Sequence, residues 1–451
     1  MGGWRPKSRR RSADSGRLAV SAAFPYGGGM WLLDKMLGRL IRHGELVILD
    51  TDRREHKFGT PAEGYPDVTL RLRDAKVTRD IVAKPKVGFA EAYMDGRIVF
   101  ERGDILALIR LVKRNNRFED GTPARKLLRG PLRRFTSWRR QRNFEARSRR
   151  NVAHHYDIGN ALYRLFLDED MQYSCAYFAE RDNTLEQAQA DKKAHIAAKL
   201  CLKPGMKVLD IGCGWGGMAL YLHRHYGVEV LGVTLSEEQL ALARERAQAA
   251  GVADKVRFEL VDYRRVEGRF DRIVSVGMFE HVGAPHYGEF FEQCRKLLAP
   301  DGVMLLHTIG RFDKPAGGDP FADKYIFPGY HLPDLAQIAK ASGRSRLIAT
   351  DVETLRLHYA FTLEHWLERT RQHRDKIVAM YDERFFRMWE IYLAAAMAMF
   401  EDGSGCVYQV QYARDRRAVP LTRDYLFAEE ARLRAAEQQL SLAPGRQAAR
   451  G

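Results

Sequence analysis

Val208-Leu209-Asp210-Ile211-Gly212-Cys213-Gly214-Trp215-Gly216-Gly217 decides how the rest of the chain is read. A short apolar run meets a cluster of glycines, and a helical pattern follows. That is a strand entering a glycine-rich turn, where missing side chains let a ligand lie close to the backbone. Glycines at this spacing are weak evidence alone, because dinucleotide-binding enzymes share them. Two neighbours sharpen the reading. Asp210 stands at the end of the strand, just before the glycines. The next strand candidate, Glu229–Thr234, ends in Thr234-Leu235-Ser236 and not in the acidic residue that a dinucleotide ribose requires.

Strands and helices alternate outward from this turn. Strand candidates are Lys207–Ile211, Glu229–Thr234, Val256–Val261, Arg269–Val276, Val303–Thr308, Arg346–Thr350 and Val407–Ala413, with Ser236 capping a helix Glu237–Ala250. The rhythm predicts an α/β fold with a doubly wound parallel sheet and a ligand crevice at the strands' carboxyl ends. Asp210 before the glycines matches the class I S-adenosylmethionine-dependent methyltransferase pattern. In that pattern Asp262, at the end of the third strand, accepts a hydrogen bond from the adenine amino group, and Tyr263 packs near the ring. Taken alone, Asp262 is also an ordinary cap or turn residue.

The 451 residues allow two or three domains of roughly 100–200 residues each. Hydrophobic residues make up 45%, enough for a real core, and no apolar run is long enough to span a bilayer. Five cysteines without a C-x-x-C pair argue against a zinc site or a disulfide scaffold, and a reducing cytoplasm fits them. A net charge of +16 points to an anionic partner, nucleic acid or an acidic membrane surface, or to a merely soluble basic surface.

Residues 1–29 read as a disordered basic tail without a secretory apolar region, and Met30 as the native start. Residues 30–115 read as a small α/β domain with strands at 45–49 and 68–72 and a helix Ile105–Val112 capped by Asp104. Residues 116–150 are a basic linker. Eleven Lys/Arg and one acidic residue fall within 121–150, interleaved with Leu127, Leu128, Leu132, Phe135, Trp138 and Phe144. Such a segment can lie on an anionic membrane or simply bridge two domains. The catalytic domain is expected at 151–430 and a flexible tail at 431–451.

Further stretches carry the specific signal: Ala153-His154-His155-Tyr156-Asp157-Ile158-Gly159-Asn160, Tyr173-Ser174-Cys175-Ala176-Tyr177-Phe178, Phe279-Glu280-His281-Val282-Gly283 and Leu306-His307-Thr308-Ile309-Gly310. With the glycine turn and Thr234-Leu235-Ser236-Glu237-Glu238-Gln239, they resemble the cyclopropane fatty-acid synthase family, which includes the mycolic-acid cyclopropane synthases. The resemblance covers about residues 150–415. Gly88-Phe89-Ala90-Glu91-Ala92-Tyr93-Met94-Asp95-Gly96 is similar to the amino-terminal domain of the phospholipid-acting members, which the mycolic enzymes lack.

The resemblance implies S-adenosylmethionine as cofactor, held by Tyr173, Ser174, Asp210, Gly212, Gly214, Thr234, Gln239, Asp262 and Tyr263. It further implies bicarbonate as a base, held by Cys175, Glu280, His307, the backbone at Ile309, and Tyr359 within Leu357-His358-Tyr359-Ala360. Each has a plainer reading: Cys175 a small buried hydrophobe, His307 a satisfied core group, Glu280 a helix cap. The chemistry explains why such a set is needed. An alkene is a poor nucleophile, so the sulfonium methyl must be held close and water kept out. A proton must then leave the new methyl group as the ring closes. Carboxylate beside bicarbonate requires a proton between them.

Tyr173, Tyr177, Phe178 and Phe279 are candidate π faces for a cation. The helix from Phe385 to Phe400 reads either as a wall of an acyl tunnel or as ordinary core. The implied partners are phospholipid acyl chains at an anionic membrane surface, with the protein cytoplasmic and peripheral on the inner face; a homodimer is left open. Alternatives are a methyl-branched or methylene-bearing acyl product, a small-amine N-methyltransferase, and a nucleic-acid-binding protein. The last lacks zinc-finger spacing and a recognisable RNA-binding aromatic motif.

Overall fold

In the computed structural model, residues 28–121, 159–315 and 318–442 are described. The amino-terminal tail before 28, most of the basic linker and the motif from Ala153 to Ile158 lie outside them.

The amino-terminal domain has a sheet of order β2-β1-β3-β4, with β1 Leu46–Leu49, β2 Glu55–Phe58, β3 Val68–Leu72 and β4 Ile98–Arg102. In β3 every second residue is buried, as expected when one face meets the core. The helix Ile105–Arg114 packs Leu108 and Leu111 into that core, and the Asp104 carboxylate accepts from the Ala107 N–H at 2.7 Å as its cap.

The larger sheet contains seven strands: β5 Lys207–Ile211, β6 Glu229–Thr234, β7 Val256–Leu260, β8 Phe270–Val276, β9 Leu298–Arg311, β10 Ile348–Leu355 and β11 Gly405–Ala413, in the order β10-β11-β9-β8-β5-β6-β7. This corrects the expectation of a wholly parallel sheet, because β11 runs antiparallel to both β9 and β10. The cause is topological. The helices His358–Gln372, Arg374–Met380 and Glu383–Glu401 follow β10. Gly405 then opens β11 opposite Arg311, at the carboxyl end of β9, so the strand must return the other way. Chain direction around the sheet reverses between β5 and β8, and a ligand crevice forms at such a switch point.

One apolar cluster joins the two domains. Ala90, Tyr93, Met94 and Ile105 of the first pack with Tyr163, Phe166, Trp366, Trp389 and Phe400 of the second. The Tyr93 hydroxyl donates to Glu390 Oε2 at 2.5 Å, and Arg384 pairs with Asp95 at 2.8 Å. Residues of the Gly88–Gly96 motif thus act as an interdomain seam. The helix Glu383–Glu401 is largely core: Trp389, Leu393 and Ala394 are fully buried. Part of the expected linker is docked too, since the Phe118 ring stacks on Phe312 at 5.6 Å.

The carboxyl end differs from expectation. A helix Asp424–Leu442 crosses the boundary placed at 430 and packs along the helix Leu185–Leu200, with Leu433 fully buried and Glu430 paired to His195 at 2.7 Å. Two apolar anchors, Leu426 and Leu433, and the buried Glu430–His195 contact hold an otherwise polar segment in place.

Candidate active site

The glycine turn does what its sequence requires. Gly212 and Gly214 have φ of +82° and +54°. A Cβ at Gly212 would strike the Met278 side chain at 2.8 Å, whereas one at Gly214 would meet nothing within 4 Å. The space above Gly214 is open cleft. That cleft encloses about 1140 Å³ including its mouth. Its lining includes all nine residues expected to hold the cofactor: Tyr173, Ser174, Asp210, Gly212, Gly214, Thr234, Gln239, Asp262 and Tyr263.

Local bonds explain how these side chains are held. Thr234 donates to Gln239 Oε1 at 3.0 Å, while the Ser236 hydroxyl caps the Gln239 N–H at 3.3 Å. Asp210 is buried, Oδ2 has no hydrogen-bond partner, and burial pushes its carboxyl up to about 7. A buried oxygen without a donor, facing a cleft, is what a ligand N–H would satisfy. Asp262 both caps its turn and receives Arg264, whose Nε and Nη2 donate at 2.8 and 2.7 Å. Its plain reading as a cap therefore holds alongside its place in the cleft.

Sequence reasoning missed Arg264, Gln172 and Met278, which also line the cleft, and quoted Trp215 and His281 in their motifs without a role. It also missed Lys192. This residue is fully buried, donates to Gln172 Oε1 at 2.7 Å and Ser174 Oγ at 2.9 Å, and is pushed down by burial to about 7. Its spacing within an evidently charged helix gave no signal.

None of the five residues expected at the reaction centre lines the open cleft. Three of them adjoin lining residues: Cys175 follows Ser174, Glu280 precedes His281, and His307 pairs with Val276 across the sheet. Glu280 does not cap a helix: its Oε1 accepts from the Ile309 N–H at 2.5 Å. Its Oε2 is buried with no hydrogen-bond partner, and burial raises the carboxyl to about 7. His307 stands two residues earlier on β9 and is held neutral by burial, far below its ordinary range. Cys175 and Tyr359 join the apolar cluster against which Ile309 packs. The Cys175 thiol donates to the Ala176 carbonyl at 3.3 Å, and burial keeps it protonated. Aromatic faces crowd the same cluster: Tyr173 stacks on Trp366 at 5.1 Å, and its hydroxyl lies 3.1 Å from that of Tyr392.

The mycolic acid cyclopropane synthetase family model matches residues 144–410. The chain belongs to that family. Among similar cyclopropane synthetases and relatives, a probable fatty acid methyltransferase of Pseudomonas putida is 39% identical over 378 residues, 80% of this chain and 92% of that protein. The cyclopropane-fatty-acyl-phospholipid synthase of Escherichia coli is 38% identical over 365 residues, 79% of this chain and 91% of that one. The crystal structure of mycolic acid cyclopropane synthase CmaA1 complexed with SAH and CTAB matches with a TM-score of 0.56 and 35% identity. It covers 59% of this chain and 98% of that one. Membership makes this cyclopropane synthetase relative an S-adenosylmethionine-dependent methyltransferase of lipid chains, with the class I fold seen above.

Proposed function

We propose that the protein builds a cyclopropane ring on the cis double bond of an unsaturated phospholipid acyl chain, with bicarbonate held as the base. Glu280 carries the reading. It is a carboxyl buried beside the cofactor cleft, with one oxygen held by a backbone N–H and the other without a partner. Near neutrality its protonated form is well populated, so it can donate to an oxyanion that an ionised carboxylate would repel. Cys175, Tyr359 and His307 supply further donors of the kind that orient one small oxyanion, while the Ile309 amide holds Glu280 in place.

Bound S-adenosylmethionine supplies the electrophilic methyl group. The chain's own residues position and protect. Asp210, Thr234, Gln239 and the Gly212–Gly214 backbone hold the cofactor against the ends of β5 and β6. The cluster around Tyr173, Trp366 and Tyr359 keeps water from the alkene and offers π faces to positive charge. The phospholipid class is supported by the Escherichia coli synthase, whose match is longer than the catalytic domain, whereas the match to the mycolic synthase is no longer than that domain.

No helix among the described residues is long and apolar enough to cross a membrane. We propose delivery from an anionic surface through the basic segment 121–150, which lies outside the described residues apart from Gly121. A methyl-branched product is the second reading, favoured by the Pseudomonas putida relative, a probable fatty acid methyltransferase. Mass spectrometry of phospholipids from a host without cyclopropane lipids, expressing this chain, separates the two. The proposed function requires phospholipid chains that gain one CH2 and lose the alkene. Methyl-branched chains, or unchanged phospholipids, refute it.

A further inference from the structure

The residues that fix the hydrogen-bonding sense of His307 are not among the motifs of the site. The antiparallel return of β11 sets Gln409 directly across from His307 on β9. Gln409 Nε2 lies 3.1 Å from His307 Nδ1, and its Oε1 accepts from Lys199 Nζ at 2.9 Å. Gln409 and Lys199 are both fully buried.

An isolated amide can be turned end for end, and a neutral imidazole can carry its proton on either nitrogen. Lys199 removes both freedoms. An ammonium has donors only, so it must meet the amide oxygen. The NH2 group then faces the imidazole, whose Nδ1 must accept, and the single ring proton is left on Nε2. Lys199 is itself held by Glu353 and lies 3.8 Å from Asp351. Glu353 is fixed in turn by His195 Nε2 at 2.6 Å. His307 is kept neutral by burial, which leaves the ring one proton to place.

We infer that Gln409 is a positioning residue: oriented by Lys199, it locks His307 in the Nε2–H tautomer, so that the imidazole serves the reaction centre as a hydrogen-bond donor. The inference rests on the proposed place of His307 in that centre. A donor is the form that an oxyanion or carbonyl oxygen can use, and the other tautomer would present a lone pair instead.

Gln409→Glu tests this with almost no change of shape. A carboxylate at 409 can only accept, from Lys199 on one side and from His307 on the other, so Nδ1 must take a proton. In nitrogen-15 spectra of histidine-labelled protein, His307 is assigned by its loss in His307→Ala. The wild type is expected to show a proton on Nε2 alone, and Gln409→Glu one on Nδ1. Turnover should fall roughly 10–100-fold, the range seen for partners that orient metal-ligating histidines, with affinity for S-adenosylhomocysteine within about twofold. If the glutamate variant does not fold, Gln409→Met serves instead and should give a mixture of tautomers with reduced turnover. A wild-type proton on Nδ1, or a Gln409→Glu enzyme of full activity with Nδ1 protonated, overturns the inference. His307→Ala with wild-type turnover would instead remove His307 from the reaction while leaving the tautomer result standing.

Discussion

Glu280→Gln should change how stability depends on pH, and the sign follows from the site. The carboxyl titrates near 7 in the folded protein against an ordinary value of 4.5. Below about 4.5 both folded and unfolded chains hold the proton. Between 4.5 and 7 folding takes up a proton, so the contribution to stability falls as pH rises. Above 7 the native carboxylate is ionised in a buried site where desolvation outweighs its hydrogen bonds, and the loss is complete. A difference of about 2.5 pK units at ~1.4 kcal/mol each bounds the effect at roughly 3 kcal/mol, of which roughly 2.5 kcal/mol falls between pH 5 and 8. The glutamine variant lacks this slope. Asp210 and Lys192 also titrate near 7, but their effects largely cancel when the two proteins are compared. Urea unfolding followed by tryptophan fluorescence, at intervals from pH 5 to 8 in carbonate-depleted buffer, measures the difference. Relative to wild type, the variant should gain roughly 2–3 kcal/mol over that interval. Curves that stay parallel within about 0.5 kcal/mol would mean that Glu280 is already ionised at neutral pH, and the proposed donor role fails.

Other perturbations have separate readouts. Glu280→Ala should nearly abolish turnover with cofactor affinity largely intact by calorimetry, whereas Cys175→Ser should do less harm because a hydroxyl still donates. Asp210→Asn should weaken binding of S-adenosylhomocysteine about tenfold or more, the scale of one charge-assisted hydrogen bond; titration calorimetry measures it. Tyr93→Phe leaves a buried oxygen of Glu390 without its donor and should cost about 2 kcal/mol in urea unfolding, while Tyr93→Phe in a Glu390→Gln background should cost less. Neutralising Arg133, Arg134, Arg139 and Arg140 together should weaken sedimentation with anionic vesicles far more than with zwitterionic ones, at about 1 kcal/mol per residue near the surface. A lowered melting temperature with unchanged vesicle selectivity would make the segment a structural linker.

The parts of the fold written as apolar runs beside glycines were legible. β5 and β6 match their expected bounds, and the caps Asp104 and Ser236 accept the N–H groups their positions imply. A strand with little apolar content was not: β2 reads Glu-His-Lys-Phe. The helix Leu185–Leu200 misleads most. Its run of Lys192, Lys193 and Lys199 looks solvent-facing, yet all three are buried because each finds partners far off in sequence. No local pattern reports such pairing. The residues that line the cleft were readable because they cluster at strand ends in contiguous motifs. Gln409 was not, because its role depends on β11 running antiparallel, a turn of topology that the strand's own sequence does not carry.

The central claim is tested most directly with purified protein, S-adenosylmethionine bearing a fully deuterated methyl group, and vesicles of an unsaturated anionic phospholipid. Cyclopropanation predicts acyl chains that have lost the alkene and retained two of the three deuterium atoms in a ring CH2, the third having left to the base. Chains that retain the alkene, or phospholipid that takes up no label while the cofactor is bound, would contradict it.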